Sequence, residues 1–562
     1  FPMNQSVTMD KPIKHREMVL AYHERTKHQF EHYAAGPSYI DWDAQPDPFR
    51  RFAGAPTIAL PLVADKIETR FAGLNLPVPP QAFNHTSVSA LLELSLGLSA
   101  WKQYEHSRWA LRCNPSSGNL HPTEGYLVLP TLEQLPAGVY HYSSHDHALE
   151  QRASFHHETP LMDILSPYSF LIGLSSVTWR EAWKYGERAF RYCQHDVGHA
   201  IAAIRYAAAA LGWSVQVLRN WADDEISHVL GIDRAADFVH VEQEAPEVML
   251  WVVTQPTVLL QRKTTQSCCL GGNALVRLMQ EAKWHGKANL LDPKHEYTWN
   301  IIDEMVLATS KPATCEPIYR AAPLPDLLAL NCDTTAADLI RQRRSAQFFD
   351  KNKSLELSKF YRMLDATLPR VEHAPWDVLT RNPHINLVFF VHRVEKLSAG
   401  LYVLVRQPDA LPALQASFAR EQFTWTKPES CPEHLGFYHL VSANAQKSAR
   451  VISCHQDIAA DSAFSLSMIA EFKTSLELGP WGYRQLFWEA GVIGQVLYLE
   501  AEAAGVRGTG IGCFFDDAMH NLLGLNDNTY QSIYHFTVGS ALEDKRIETL
   551  PAYAHLPALI TT

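Results

Sequence analysis

"HDVGHAIAAIRYAAAALGWSVQVLRNWADDEISHVLGID" (residues 195–233) has a counterpart later in the chain, "WEAGVIGQVLYLEAEAAGVRGTGIGCFFDDAMHNLLGLN" (488–526). Gly198 falls opposite Gly491 and Gly231 opposite Gly524, both at an offset of 293 residues. Each copy reads as a long alanine-rich helix, then a strand or loop, then an acidic N-cap (Asp223-Asp224; Asp516-Asp517). A short helix ending at Leu-Gly follows in each. Self-similarity of this kind is the mark of an internal duplication, and it decides the fold class.

Two further pairs extend the repeat outward. "AGVYHY" (137–142) matches "AGLYVL" (399–404) at an offset of 262, both with strand character. "VSALLELSLGLSAW" (88–101) matches "LSKFYRMLDATL" (357–368) as a helix. The change of offset predicts about 31 extra residues in the second copy, between about 405 and 480, where "TKPESCPEHLG" reads as loop. The expected architecture is α+β: two tandem domains of one ancestry, at 61–258 and 326–562. A mostly irregular arm (1–60) precedes them and a connector (259–325) joins them.

Composition agrees with this size. The chain has 562 residues, 46% hydrophobic and 19% charged, which is ample for two cores. A net charge of −11 without a long basic run argues against nucleic acid and an anionic membrane surface. No apolar run approaches a membrane span, and no signal-type segment is visible. The 9 cysteines include no CxxC pair, and the adjacent Cys268 and Cys269 are poorly spaced for zinc. A cytoplasmic protein with free thiols is the expectation.

The two copies differ in a complementary way. The second carries "LIRQRRSAQFFD" (339–350), where Arg343, Arg344 and Ser345 suit a phosphate: arginine offers a charge-assisted fork and serine a short donor. The first copy has Leu74, Asn75 and Leu76 there. The second also carries "VRGTGIGCFF" (506–515), whose alternate glycines let backbone amides approach a flat ligand. The first has "WSVQVLRN" instead. Only the first has the open loop "RCNPSSGNLHP" (112–122) and the segment "WKYGERAFRY" (183–192). A pseudo-twofold pair of domains with two sites, each assembled from both halves, would leave one site complete and the other empty.

These residues resemble the FMN-dependent nitroreductase superfamily, and particularly its SagB/ThcOx-type dehydrogenases, which oxidise azolines in modified peptides. The resemblance rests on "RRSAQFF", "GTGIG", "PSSGN", "VGSALEDKR" and "WKYGERAFRY", and spans both repeats. It implies FMN at the interface of two domains. Arg343, Arg344, Ser345 and Arg546 would hold the phosphate and ribityl end. Gln347 would face the pyrimidine edge, and Gly510, Ile511 and Gly512 would lie near flavin N5. Pro115, Ser116, Ser117 and Asn119 would close the site from the first domain. His121 stands where relatives often have glutamine. Lys184 or Tyr185 is the implied catalytic base. Loss of Asn119 is then expected to weaken FMN retention as much as loss of Arg343.

The partner expected is a small molecule or modified peptide, on a monomeric pseudo-dimer or a homodimer. Two other readings stay open: an NAD(P)H-dependent nitro, quinone or ene reductase, and a non-catalytic flavin-binding or scaffold protein. His145 with His147, and His195 with His199, are read as a hairpin turn and as helix-buried residues, and no metal is expected.

Overall fold

The computed structural model describes residues 11–157, 159–257 and 270–557; Cys268 and Cys269 lie outside them. The first described element is α1 (Lys11–Arg25), followed by irregular chain with short strands and 3-10 turns to about residue 84. The arm is therefore helical over residues 11–25, where Val19, Tyr22 and His23 bury one side of α1 against the two domains. The first domain contains α2 (His85–Ser95) and strands β1 (Leu98–Tyr104), β2 (Ser107–Arg112), β3 (Thr123–Leu129), β4 (Gly138–Ser143), β5 (Ala148–Ser154) and β6 (Ser169–Ser176). It ends with α3 (Thr178–Tyr185), α4 (Ala189–Ala210), β7 (Ser214–Val217), α5 (Asp223–Leu230) and β8 (Ala245–Val253). The second domain has α6 (Ala336–Gln342), β9 (Ile385–Val391), β10 (Gly400–Leu404), β11 (Phe437–Ser442), β12 (Phe464–Glu471), α7 (Gly482–Ala503), β13 (Arg507–Ile511), α8 (Asp516–Leu523), β14 (Tyr530–Gly539) and β15 (Glu548–Pro551).

The two main sheets share one strand order. The first runs β5-β4-β3-β6-β8-β7 and the second β11-β10-β9-β12-β14-β13, so β4-β3-β6-β8-β7 repeats as β10-β9-β12-β14-β13. The pairings along both sheets are antiparallel. The chain is thus α+β with two tandem domains of one topology. The extra residues of the second copy fall between β10 and β12, and "TKPESCPEHLG" is loop within them. One expected helix is shorter than read: α2 stops at Ser95, and "LSAW" belongs to β1, because the Gly97 amide turns back onto the Leu92 carbonyl.

The domains meet along α4 and α7, which cross at the paired glycines. A methyl on Gly198 would strike the Trp488 carbonyl, and one on Gly491 would strike the His195 carbonyl. The shared glycines therefore set the distance between the two halves. Gly198→Ala is expected to force these backbones apart and lower the melting temperature by several degrees, readable by circular dichroism.

The repeated aspartates do a different job from the one expected. Ala222 and Phe515 occupy the N-cap positions, and Asp223 and Asp516 sit buried in the first turns of α5 and α8. Each receives an arginine from the other domain at the same 293-residue offset. Arg191 Nη1 lies 2.8 Å from Asp516 and Arg484 Nη2 lies 2.5 Å from Asp223. Arg188 adds a second bond to Asp516 at 2.9 Å. Two arginines hold the Asp516 carboxyl far below the ordinary range, despite its burial. Asp516→Ala would strand Arg188 and Arg191 in a dry interface. We expect a loss of about 3–5 kcal/mol in unfolding free energy by denaturant titration.

The C-terminal segment crosses back. β15 pairs with β1 of the first domain, and Tyr553 accepts the Leu98 amide while donating to the Ser144 carbonyl. Among the described residues no helix is long and apolar enough to cross a membrane.

Candidate active site

A cavity of about 710 Å³ opens between the domains, within the ~300–1,000 Å³ typical of cofactor and small-molecule sites. Its walls come from distant parts of the chain: the 112–121 loop, the end of α3, α4, the Arg343–Phe348 segment, β13 and the 541–549 segment. Pro115, Ser116, Ser117, Asn119, Tyr185, Arg343, Arg344, Ser345, Gln347, Gly510, Ile511 and Gly512 all line it. Two expected residues do not.

The first is Arg546. It is exposed, and its guanidinium forks onto Asp544 at 2.9 and 2.7 Å, so a neighbour two residues away absorbs its charge. The cations that do line the wall are Arg343, Arg344, Arg507, Arg112 and Lys102. Among the described residues, Arg343, Arg344 and Lys102 have no carboxylate in ion-pair reach. Arg507 is held by Glu502 and Glu543. Arg343 is buried, gives one bond to the Arg112 carbonyl at 3.2 Å, and leaves Nε unpartnered. Its guanidinium stacks on the Tyr498 ring at 4.8 Å. Burial lowers the Arg343 pKa, and burial with Arg343 and Arg507 nearby lowers that of Arg344 to about 10. Burial and Arg344 likewise lower Lys102. Three cations gathered on one wall with no ion-pair partner of their own form an electrostatically incomplete site. A dianionic phosphate would complete it.

The second is Lys184. Its ammonium lies over the rings of Trp42 and Tyr185, at 5.0 and 5.1 Å, outside the cavity wall. Tyr185 does reach the cavity. Burial, then Glu181 and Tyr192, push its phenol well above the ordinary value, so it stays protonated and can donate but not accept a proton.

The open loop has a built geometry. Gly118, Asn119 and His121 adopt positive φ of 64, 57 and 53°. A methyl on Gly118 would collide with the Tyr185 hydroxyl. Ser116 Oγ donates to Asp196 Oδ2 at 2.7 Å, and the Ser117 amide and hydroxyl both reach Oδ1 at 3.1 Å. The serines thus latch the loop to α4, and their hydroxyl protons are already committed. The Asn119 amide is also engaged: Nδ2 donates to the Ala110 carbonyl at 2.9 Å, and Oδ1 lies 2.7 Å from His121 Nε2. Asn119 is therefore a loop-shaping residue, and Asn119→Ala is expected to weaken FMN retention less than Arg343→Ala does, as measured by flavin lost on desalting. With Nε2–H assigned as donor to Asn119, and burial keeping the ring neutral, His121 Nδ1 is a bare buried acceptor at the cavity.

The glycines at 508, 510 and 512 make room for closely packed aromatics. Methyls at Gly508, Gly510 and Gly512 would meet Phe536, Tyr534 and Tyr192 respectively. These aromatics press on the strand, and Tyr498 accepts the Gly510 amide at 3.0 Å while sharing a bond with Ser345 at 2.8 Å.

Sequence reasoning missed Asp196. It lines the cavity from α4 beside Tyr192 and His199. Burial raises its carboxyl pKa from 3.8 to about 7, offset in part by the Ser116 and Ser117 bonds. Behind it, Ser116 Oγ lies 3.4 Å from Glu181, whose carboxyl is fully buried; burial and Asp196 hold it protonated. The signal was present: Glu489 occupies the same offset in the second copy and binds the amides of His384 and Ile385 there, as Asp196 binds that of Ser117.

The mirror position is filled rather than empty. At the 293-residue offset, Tyr192, Asp196 and Thr509 correspond to Gln485, Glu489 and Gln216. Arg406 pairs with Glu489 at 2.8 Å and stacks on Trp376 at 4.7 Å. Cavities of about 160 and 20 Å³ lie beside these residues, against about 710 Å³ at the other site.

Residues 340–540 match the family model described as Nitroreductase family. The matched stretch lies within the second domain. The full two-domain nitroreductase architecture has a solved counterpart in a nitroreductase-type protein of Anabaena variabilis. It is 21% identical, with a TM-score of 0.64, and the match covers 93% of this chain and 99% of the other. Shorter matches include a nitroreductase-type protein of Ralstonia eutropha (18% identity, TM-score 0.27, 41% of this chain and 97% of the other). Another is a chain of the Escherichia coli microcin synthetase McbBCD complex, solved with truncated pro-MccB17 bound (18% identity, TM-score 0.25, 44% and 94%). No curated protein matches the chain.

Proposed function

We propose that the chain is an FMN-dependent dehydrogenase with one cofactor site per chain, built by both domains. The observation that carries this reading is the group of unpaired cations, Arg343, Arg344 and Lys102, facing the Asp196-latched loop across one cavity. Arg343 and Arg344 would hold the cofactor phosphate, with Lys102 in place of Arg546. Ser345, Gln347 and the backbone of Gly510–Gly512 would line its length. His121 Nδ1 offers an acceptor to a ring N–H. FMN, when bound, supplies a two-electron acceptor.

The protein's own task is then to orient substrate and take a proton. Asp196 is the wall group that titrates near neutrality, so its carboxylate is the proton acceptor in this reading. Tyr185, protonated, orients substrate by donating a hydrogen bond. Lys184 steadies that phenol from behind, against Trp42. Glu181 keeps its own proton and leaves the negative charge to Asp196. A substrate losing a hydride and an adjacent acidic proton fits this division of labour, as an azoline-type heterocycle in a modified peptide or small molecule would.

The visible spectrum of the purified protein tests the cofactor. A flavin band, or its appearance on FMN titration, is expected, and the absence of both would refute the reading. Stopped-flow mixing with NAD(P)H tests the direction: rapid bleaching would make the chain a reductase, and no bleaching is expected.

A further inference from the structure

Three separate chain segments converge beside the cavity on a pair of thiols. Cys513 follows the glycine-bearing β13 and lines the cavity. Cys454 lies between β10 and β12, where the second domain is longer than the first, at a positive φ of 55°. Their sulfurs stand 2.8 Å apart although 59 residues separate them, and both are half-buried. The third segment is the N-terminal arm. His28 Nδ1 accepts the Ala34 amide at 3.0 Å, which leaves Nε2–H to donate to the Cys513 sulfur. Tyr33 reaches Cys454 from the same arm.

The pair is chemically unequal. The Cys454 thiol, His28 and the Arg188 guanidinium all favour the ionised form of Cys513, and its pKa falls despite burial. Cys454 is pushed the other way by its bond to Cys513 and by burial. Cys513 is the nucleophile, a thiolate near neutral pH, and Cys454 keeps its proton. Cys315, by contrast, is exposed.

We propose that Cys513 and Cys454 form a redox site that reacts with a hydroperoxide, hydrogen peroxide in the first instance, and closes to an intramolecular disulfide. The Cys513 thiolate attacks one peroxide oxygen, breaking the O–O bond. Sulfur is oxidised to sulfenic acid, and the departing hydroxide takes a proton to become water. The Cys454 sulfur then attacks the sulfenic sulfur. The S–S bond forms, the S–O bond breaks, and the thiol proton leaves with the hydroxyl as a second water. In sum, two thiols and one hydrogen peroxide give one disulfide and two waters. A low-molecular-weight thiol restores the pair by exchange. The source of peroxide rests on the function proposed above, since reoxidation of a reduced flavin by oxygen would release it in the adjoining cavity. The thiol chemistry itself needs no flavin.

The test uses the purified full chain, reduced, desalted and exposed briefly to hydrogen peroxide, then alkylated and mapped by mass spectrometry. The expected result is the loss of two alkylatable thiols and a linked peptide joining Cys454 to Cys513, while Cys315 remains alkylated. Cys454→Ser should instead accumulate a sulfenic acid at Cys513 that dimedone traps. Full alkylation of both residues after peroxide, or linkage of either to another cysteine, overturns the proposal. The wild-type map decides this even where a variant fails to fold. A visible spectrum of the same sample separates the two readings. Flavin present with unreacted thiols defeats only the redox pair, and a closed disulfide without flavin defeats only the cofactor assignment.

Discussion

Replacing Arg343 by alanine is expected to leave a folded chain that binds FMN about 10- to 150-fold more weakly. That range corresponds to the ~1.5–3 kcal/mol carried by a hydrogen bond to a charged group. The sign of the effect on the empty protein is the informative part. Arg343 is buried, spends one donor on the Arg112 carbonyl, and faces Arg344 with no carboxylate in ion-pair reach of its own. Removing it relieves repulsion, so the melting temperature of the flavin-free protein should hold or rise. The added stability conferred by saturating FMN should shrink. An arginine that merely packed the interface would behave in the opposite way, lowering the melting temperature of both forms.

Replacing Asp196 by asparagine is expected to lower kcat/KM by about 10²–10⁴, the usual contribution of a positioned general base. The active form of a base is the carboxylate, so wild-type activity should rise with pH through about 7 and then level. The variant should lose that rise. A role confined to latching the loop would lower flavin retention and leave the pH profile intact, which separates the two. Stability should show the same proton from the other side. The folded protein holds it up to about pH 7, whereas an unfolded chain releases it near 3.8. The folded state therefore binds more protons across that window, and the Asp196 contribution to stability falls as pH rises through it.

The sequence made the repeat legible because glycines cannot drift where two backbones touch. Gly198 and Gly491 keep a constant offset for that reason, and Gly231 and Gly524 keep it because both end helices at a φ of 71°. The complementary loops were legible because each copy displays what the other lacks. The errors came from residues whose role is set by a neighbour that sequence does not rank. Arg546 reads as a phosphate ligand until Asp544 is seen to hold it. Ser116 and Ser117 read as ligand donors until Asp196 is found to take their protons. Lys184 and Tyr185 are adjacent in sequence, yet the turn of α3 sends one to Trp42 and the other into the cavity. The aspartates at 223 and 516 read as caps because the arginines that claim them arrive from the opposite domain. Asp196 itself looks like any polar residue in "QHDVGH"; only its burial gives it chemistry.

The mirror position shows why a duplicated chain keeps one site. Glu489 matches Asp196 but is neutralised by Arg406 and walled by Trp376, so the space closed around an ion pair. The first-domain half of the mirror site, Leu74–Leu76, offers no cation to draw a phosphate.

A stoichiometric titration of the flavin-free chain with FMN, followed by absorbance and quenching of flavin fluorescence, tests the single cross-domain site most directly. The account expects saturation at one FMN per chain. Two per chain would mean that the mirror position also binds, and none would mean that the cavity between the domains holds something else.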